Sequence, residues 1–265
     1  MGLFVDDTKV KQIVMRAGQI AMKEAKHCAV YTKGRADFVT QADLSIQAFI
    51  KESLREEYPD IGFQGEEDDD NRCADGIRWI LDPIDGTTNY IYNYNHSAIS
   101  LALRNGTKTA FGVIYNPFTD EMFSAKSGEG AFLNDLPIHV NEADSLEAAL
   151  VAVGTSPYYK ELAPEVFRKI ETIYSRSLDI RRTGSAALDL AYVACGRQDA
   201  YFEYRLKPWD YAAGNLIVME AGGVVNSIQE DTISYEQASD IVACTNEGLM
   251  EEMLSILNLN KGESQ

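Results

Sequence analysis

Apolar residues recur at helical spacing over residues 8–27, at Val10, Ile13, Val14, Ala17, Ile20 and Ala21. They do so again over 41–57, at Leu44, Ile46, Phe49, Ile50 and Leu54. Each pattern describes a helix with one buried face. Thr40 stands at the start of the second helix with Asp43 three residues on, the spacing of a capping box. Short strand-like runs follow near 77–81, 97–103, 110–115 and 121–125, and the turn Ser127-Gly128-Glu129-Gly130 precedes another at 131–133. So many short strands after two helices predict a mixed, largely antiparallel sheet. From about residue 148 strands and helices alternate: strand 149–153, helix 158–174, strand 178–182, helix 185–195, strand 199–203, helix 210–221, strand 241–244 and helix 246–258. Gly222-Gly223 closes the helix before it, as glycine does at a helix C-terminus. The alternation predicts an α/β lobe beside the first, α+β one. The boundary falls near 140–148, giving lobes 1–145 and 146–265. No long Gly/Ser-rich linker separates them, so they are expected to pack tightly.

With 45% hydrophobic residues in 265, the chain can bury a substantial core, as one large domain or two small lobes. Lys and Arg number 24 against 41 Asp and Glu, a net charge of −17. That balance argues against nucleic acid and anionic membrane as partners, both being polyanions. A phosphate substrate would also be repelled, unless bound cations invert the local field. The cysteines (Cys28, Cys73, Cys195, Cys244) are scattered without Cys-x-x-Cys spacing, which predicts thiols in a reducing compartment. Asp6 and Asp7, with no apolar core around them, predict no signal peptide, and Asp6 stands where myristoylation after Met1-Gly2 requires Ser or Thr. No apolar run approaches the roughly 18 residues of a membrane span. A cytoplasmic protein is expected.

The chemistry concentrates in Leu81-Asp82-Pro83-Ile84-Asp85-Gly86-Thr87-Thr88-Asn89. Proline and glycine in so short a span predict a rigid turn. It follows the apolar Trp79-Ile80-Leu81, so both aspartates sit at the edge of a core strand. Mg²⁺ takes oxygen ligands and binds through one or two carboxylates plus substrate phosphate. Further acids lie in Gln64-Gly65-Glu66-Glu67 and in Lys207-Pro208-Trp209-Asp210. Each also has a plainer account: Asp210 as a helix N-cap, Glu66 as a loop acid, Asp43 as a cap partner. If Asp82, Asp85, Glu66 and Asp210 converge, with the Ile84 carbonyl on the same turn, the cluster holds two or more Mg²⁺ ions. Two metals about 4 Å apart activate water and stabilise the leaving oxygen of an in-line phosphoryl displacement. Thr87, Thr88 and the turn's N–H groups are donors for phosphate oxygens. No Cys-x₅-Arg is present, and His27, His96 and His139 are isolated. Metal-activated water remains the candidate nucleophile.

Asp-Pro-Ile-Asp-Gly-Thr-Thr-Asn at 82–89, and Trp-Asp-Tyr-Ala-Ala-Gly at 209–214 followed by Glu220-Ala221-Gly222-Gly223, resemble the two signatures of the inositol monophosphatase family, Mg²⁺-dependent and lithium-sensitive phosphatases. The resemblance runs from Lys33 to Gly223. It implies a layered αβαβα sandwich, a homodimer and two or three Mg²⁺ ions. It implies Glu66, Asp82, the Ile84 carbonyl, Asp85 and Asp210 as metal ligands, with Glu67 and Lys33 as secondary candidates. The loop after Lys33 is one residue shorter than in the animal enzymes. The resemblance further implies that Asp43 and Thr87 orient the attacking water and that Gly86, Thr87 and Thr88 cradle the phosphate. Gly184, Ser185, Ala186 and Glu203 then contact substrate hydroxyls, with serine at 185 where threonine is familiar. The implied substrate is a small phosphorylated metabolite, foremost myo-inositol 1-phosphate; fructose 1,6-bisphosphate, NADP(H) and nucleotide 3′-phosphates are alternatives.

Two other readings fit worse. A haloacid-dehalogenase-type phosphatase separates its aspartates by one residue, whereas two separate Asp82 and Asp85. A calcium-binding loop within 66–82 fails because a loop begun at Asp68 has Cys73 where the turn glycine belongs.

Overall fold

The computed structural model describes residues 5–25, 30–34, 37–67, 76–229 and 232–258. Cys28, Cys73, His27, Met1-Gly2 and Asp68 to Asp70 lie outside the described residues, as does the side chain of Lys33.

Helix α1 (Asp7–Glu24) begins at Asp6, whose carboxylate accepts from the Thr8 and Lys9 N–H groups at 3.0 and 3.2 Å. A short hairpin, β1 (Val30–Gly34) and β2 (Asp37–Thr40), leads into α2 (Gln41–Glu57). The predicted capping box forms there. The Thr40 N–H donates to Asp43 Oδ2 at 2.8 Å, and the Asp43 N–H to Thr40 Oγ1 at 3.3 Å.

Seven strands then build one sheet in chain order: β3 (Gly62–Gly65), β4 (Ile77–Asp85), β5 (Ala98–Asn105), β6 (Lys108–Asn116), β7 (Glu121–Lys126), β8 (Gly130–Leu133) and β9 (Leu136–Ile138). Only β3 and β4 pair in parallel. A five-residue helix, α3 (Thr87–Ile91), follows β4. The second sheet is mixed, with β11 (Asp179–Arg181), β10 (Leu150–Val153), β12 (Ala200–Leu206), β14 (Ser239–Cys244) and β13 (Val224–Ser227) in spatial order. Helices α4 (Ala163–Arg176), α5 (Ala186–Ala194), α6 (Pro208–Glu220) and α7 (Glu247–Leu257) complete the chain.

Three apolar clusters order the layers. Val10, Val14 and Ala17 of α1 and Ile46 and Ile50 of α2 pack on Trp79, Leu81, Leu101 and Val113 of the larger sheet. The other face of that sheet, through Ile80, Ala102 and Ile114, meets α5 and α6, which also touch Tyr201 and Ile241 of the smaller sheet. Val151, Phe202 and Val242 on its far face bury α4 and α7. The result is an αβαβα sandwich. Close approach in the middle layer depends on small residues, since a Cβ on Gly112 would stand 3.0 Å from Ala213 Cα.

Two expectations shift for stated reasons. Helix 158–174 starts five residues later, because Pro164 fits only the first turn of a helix; a 3₁₀ turn at Lys160–Leu162 precedes it. Helix 210–221 starts two residues earlier, with Pro208 in its first turn, so Asp210 is not the N-cap but the third helical residue.

Candidate metal centre and active site

The segment read as a rigid turn is instead the end of β4, which runs through Asp85 with a register shift between Asp82 and Asp85. Pro83 lacks an N–H and is tolerated at such an irregularity. The bulge turns the Ile84 N–H onto Asp82 Oδ1 at 2.9 Å, which fixes that carboxylate. Gly86 then adopts φ 84°, a left-handed conformation that costs a side chain far more than glycine. The chain re-enters as α3 at Thr87, and Ser97 Oγ steadies the bend by donating to the Gly86 carbonyl at 2.9 Å.

Helix α6 brings the third carboxylate from the other side of the sandwich. Asp210 accepts from the Lys207 N–H at 2.6 Å, and Ser100 Oγ ties the helix start to β5 through the Trp209 carbonyl at 3.1 Å. Ligand oxygens of Asp82, Asp85 and Asp210 thereby lie within 4.8 Å of one another. Asp82 and Asp85 are buried and Asp210 is half-buried. Glu66 lines the same cavity, but its carboxylate stays outside that close group. Its N–H continues the β3–β4 pairing by donating to the Leu81 carbonyl at 3.1 Å. Glu67 donates its N–H to Gln47 at 3.0 Å.

Burial is the first reason these groups resist ionisation; their neighbours' charge is the second. Asp82 is held well above the usual carboxylate range by burial and then by Glu66, Asp85, Asp210 and Asp43. Asp210 is raised likewise, with Asp85 as its main charged neighbour. Burial pushes Asp85 to about 6 despite hydrogen bonds from Ser185 and the Ala187 N–H. No Lys, Arg or His forms an ion pair with Asp82, Asp85 or Asp210 among the described residues. Crowded oxygens without a counter-ion suit a hard divalent cation, so the donor set fits magnesium.

Ser185 departs from its expected place. It is buried, does not line the cavity, and caps α5 by accepting from the Leu188 N–H at 3.3 Å. Its hydroxyl donates to Asp85 Oδ2, which also accepts from the Ala187 N–H at 2.8 Å. The helix start clamps a site carboxylate. Asp43 likewise is not among the residues lining the cavity; it is buried at 1% exposure, with Oδ2 in the capping box and Oδ1 without a hydrogen-bond partner. Burial raises it to about 6. Thr87 Oγ1 donates to the Ile84 carbonyl at 3.1 Å.

The cavity has a volume of about 740 Å³, and Gly86, Thr87, Thr88, Gly184, Ala186 and Glu203 line it. Glu203 accepts from the Ser156 N–H and the Tyr201 hydroxyl, both at 2.8 Å. A Cβ on Gly154 would fall 2.1 Å from the Glu203 carboxyl carbon, so that carboxylate needs glycine there. Asp189 also lines the cavity and went unnoticed in the sequence. It is buried, accepts from Thr183 Oγ1 at 2.7 Å, and burial pushes it to about 8. Its one sequence signal is an acid inside the otherwise apolar Ala186-Ala187-Leu188-Asp189-Leu190-Ala191.

Comparison with known proteins decides the lineage. The family model described as the inositol monophosphatase family matches residues 5–260. The chain belongs to the inositol monophosphatase family. It is 37% identical over 250 residues to the inositol-1-monophosphatase of Rhizobium meliloti (strain 1021), covering 93% of each chain. It is 42% identical over 195 residues to Nus factor SuhB of Escherichia coli (strain K12), covering 73% of each. The solved structure of extragenic suppressor protein suhB from Bartonella henselae superposes with a TM-score of 0.88 at 36% identity, covering 96% of this chain and 98% of that one. The family is one of phosphatases acting on small phosphorylated substrates, and its sandwich is the fold described above. No helix among the described residues is long and apolar enough to cross a membrane.

Proposed function

We propose that this protein hydrolyses a small phosphomonoester, myo-inositol 1-phosphate foremost, with two or three Mg²⁺ ions held by Asp82, Asp85, Asp210, Glu66 and the Ile84 carbonyl. The observation that carries the reading is the meeting of three uncompensated carboxylates within 4.8 Å in the wall of one cavity. Magnesium, when bound, supplies the charge that acidifies water and offsets the developing negative charge on phosphate.

The chain's own groups do the rest. Ser185 and the Ala187 N–H fix the Asp85 carboxylate, and the Ile84 N–H fixes Asp82. The start of α3, at 86–88, presents N–H groups and hydroxyls to phosphate oxygens. Asp43, with one free oxygen, and Thr87, whose hydroxyl accepts while it donates to Ile84, orient the attacking water. The water oxygen bonds to phosphorus as the ester P–O bond breaks. The water releases a proton, and the departing alcohol oxygen takes one up. Glu203, Gly184 and Ala186 face the alcohol portion.

The same reading has two lobes, 1–145 and 146–265, assembled around the site. It includes a cytoplasmic homodimer and inhibition by lithium. Phosphate release is measured from myo-inositol 1-phosphate, fructose 1,6-bisphosphate, NADP⁺ and a nucleotide 3′-phosphate, with Mg²⁺, with chelator and with lithium. Release that requires Mg²⁺ and falls with lithium is expected. Release undiminished by chelator, or none from any substrate, overturns the reading.

A further inference from the structure

Asp189 lines the cavity, yet the chemistry proposed above leaves it without a task. It stands in the first turn of α5 at 2% exposure, among apolar and aromatic residues. No Lys, Arg or His forms an ion pair with it among the described residues. An acid buried without a cation weakens a fold unless hydrogen bonds hold it. Its hydrogen-bond partners therefore identify what it does.

Those partners lead out of the helix. Oδ2 accepts from Thr183 Oγ1 at 2.7 Å, and Oδ1 accepts from Gln198 Nε2 at 3.3 Å. Thr183 lies in the irregular connection between β11 and α5, beside Gly184, which lines the cavity as Ala186 does at the helix start. The Thr183 carbonyl accepts from Asn89 Nδ2 at 2.9 Å, and the same nitrogen donates to the His96 carbonyl at 2.8 Å. Asn89 belongs to α3, the helix whose start is the proposed phosphate cradle. Thr183 is thus tied on both sides, its hydroxyl to α5 and its carbonyl to α3. The two turns also touch. A Cβ on Gly86 would stand 3.1 Å from the Gly184 carbonyl oxygen, and one on Gly184 would stand 3.1 Å from Asn89 Nδ2. Gly184 has φ 96°, in the left-handed region that favours glycine.

We infer that Asp189 is a specificity-determining positioning residue, which acts through Thr183 to hold the wall at Gly184 and Ala186 in register with the phosphate cradle. The inference rests on the hydrolytic reading above and deepens its account of the alcohol. With the phosphate seated at 86–88, the spacing between cradle and wall decides which ring hydroxyls meet the wall. The part played by the carboxyl is to accept a hydrogen bond, not to supply charge.

The test sets myo-inositol 1-phosphate against cyclohexyl phosphate, the same ring without hydroxyls, in the Mg²⁺-loaded protein. The quantity read is the inhibition constant of cyclohexyl phosphate divided by the KM of myo-inositol 1-phosphate. Thr183→Val keeps the shape of the side chain and removes the hydroxyl that donates to Asp189. It is expected to lower the ratio about 5-fold, the worth of one hydrogen bond, by raising KM while kcat changes less than about 2-fold. Asp189→Leu is expected to act in the same way. Asp189→Asn keeps an oxygen for Thr183, and its nitrogen can donate to Gln198 Oε1, buried without a partner, once that amide turns over. It is expected to keep the wild-type ratio. Mg²⁺ binding, followed by calorimetry, is expected to be unchanged in all three variants. A ratio unmoved by both Thr183→Val and Asp189→Leu overturns the inference and leaves hydrolysis standing. A ratio lowered as far by Asp189→Asn does the same, because charge would then be the cause. Loss of Mg²⁺ binding in Thr183→Val also overturns it, because the segment would then act on the metals. Absence of release from myo-inositol 1-phosphate by the wild type overturns the hydrolytic reading and the inference together. Folding is verified by circular dichroism, and Thr183→Val and Asp189→Asn decide the matter if Asp189→Leu does not fold.

Discussion

Replacing Asp82 by Asn should stabilise the metal-free protein while abolishing its response to magnesium. Two unit charges at the 4.8 Å limit of the carboxylate group repel by about 3.5 kcal/mol at an effective dielectric near 20. Full ionisation of all three would therefore cost about 10 kcal/mol at that dielectric. The folded protein avoids most of this by retaining protons, which is why all three groups titrate high. For Asp85 the rise from 3.8 to about 6 corresponds to roughly 3 kcal/mol of lost stability above pH 6. The sign follows from proton binding. A raised folded pKa means that the native state holds more protons, so stability is greatest at low pH and declines as pH climbs through the folded value. Burial is the larger part of the rise, so removing one neighbouring charge recovers about 1–2 kcal/mol, or roughly 2–6 °C in Tm. Asparagine keeps the oxygen that accepts the Ile84 N–H. The assay is thermal unfolding of both proteins in chelator at pH 8 and pH 5, then at pH 8 with Mg²⁺. Asp82→Asn should unfold at a higher temperature at pH 8, with the gap narrowing at pH 5. Magnesium should raise the wild-type midpoint and leave the variant's nearly unmoved. A variant less stable than wild type at pH 8, or equally stabilised by magnesium, would refute the reasoning.

Ser185→Ala removes both a donor to Asp85 and the cap of α5, and should cost about 1–2 kcal/mol of stability. Asp85 should then titrate higher, moving the acid limb of the kcat/KM profile to higher pH, whereas Ser185→Thr should restore it. Asp43→Asn should lower kcat on the order of 10²-fold, as loss of one preorganised electrostatic partner does, with circular dichroism and Mg²⁺-induced stabilisation retained. Binding of Mg²⁺ should itself weaken as pH falls below 6, because protons compete for Asp85; calorimetry at pH 5.5 and 8 measures the difference.

The central chemistry was legible because it is local. Asp82, Ile84 and Asp85 stand on one strand end, and Thr40 and Asp43 declare their cap by spacing alone. The strands β5 to β8 announced themselves as short apolar runs bounded by turns. What escaped is set by contacts between distant segments. The hairpin β1–β2 and the strands β3, β9 and β13 are three to five residues each, too short to show a period. The family resemblance implied Ser185 as a substrate contact, and only the packing of α5 against β4 reveals its hydrogen bond to Asp85. Asp189 was hidden inside an apolar helix that reads as core.

The hydrolytic mechanism depends on a cation joining Asp82, Asp85 and Asp210. Crystals soaked in Mn²⁺, measured at the manganese absorption edge, locate that cation without reference to turnover. Anomalous peaks bridging these three carboxylates are predicted. Manganese found only at other carboxylates, with these three side chains turned away from one another, would contradict the account.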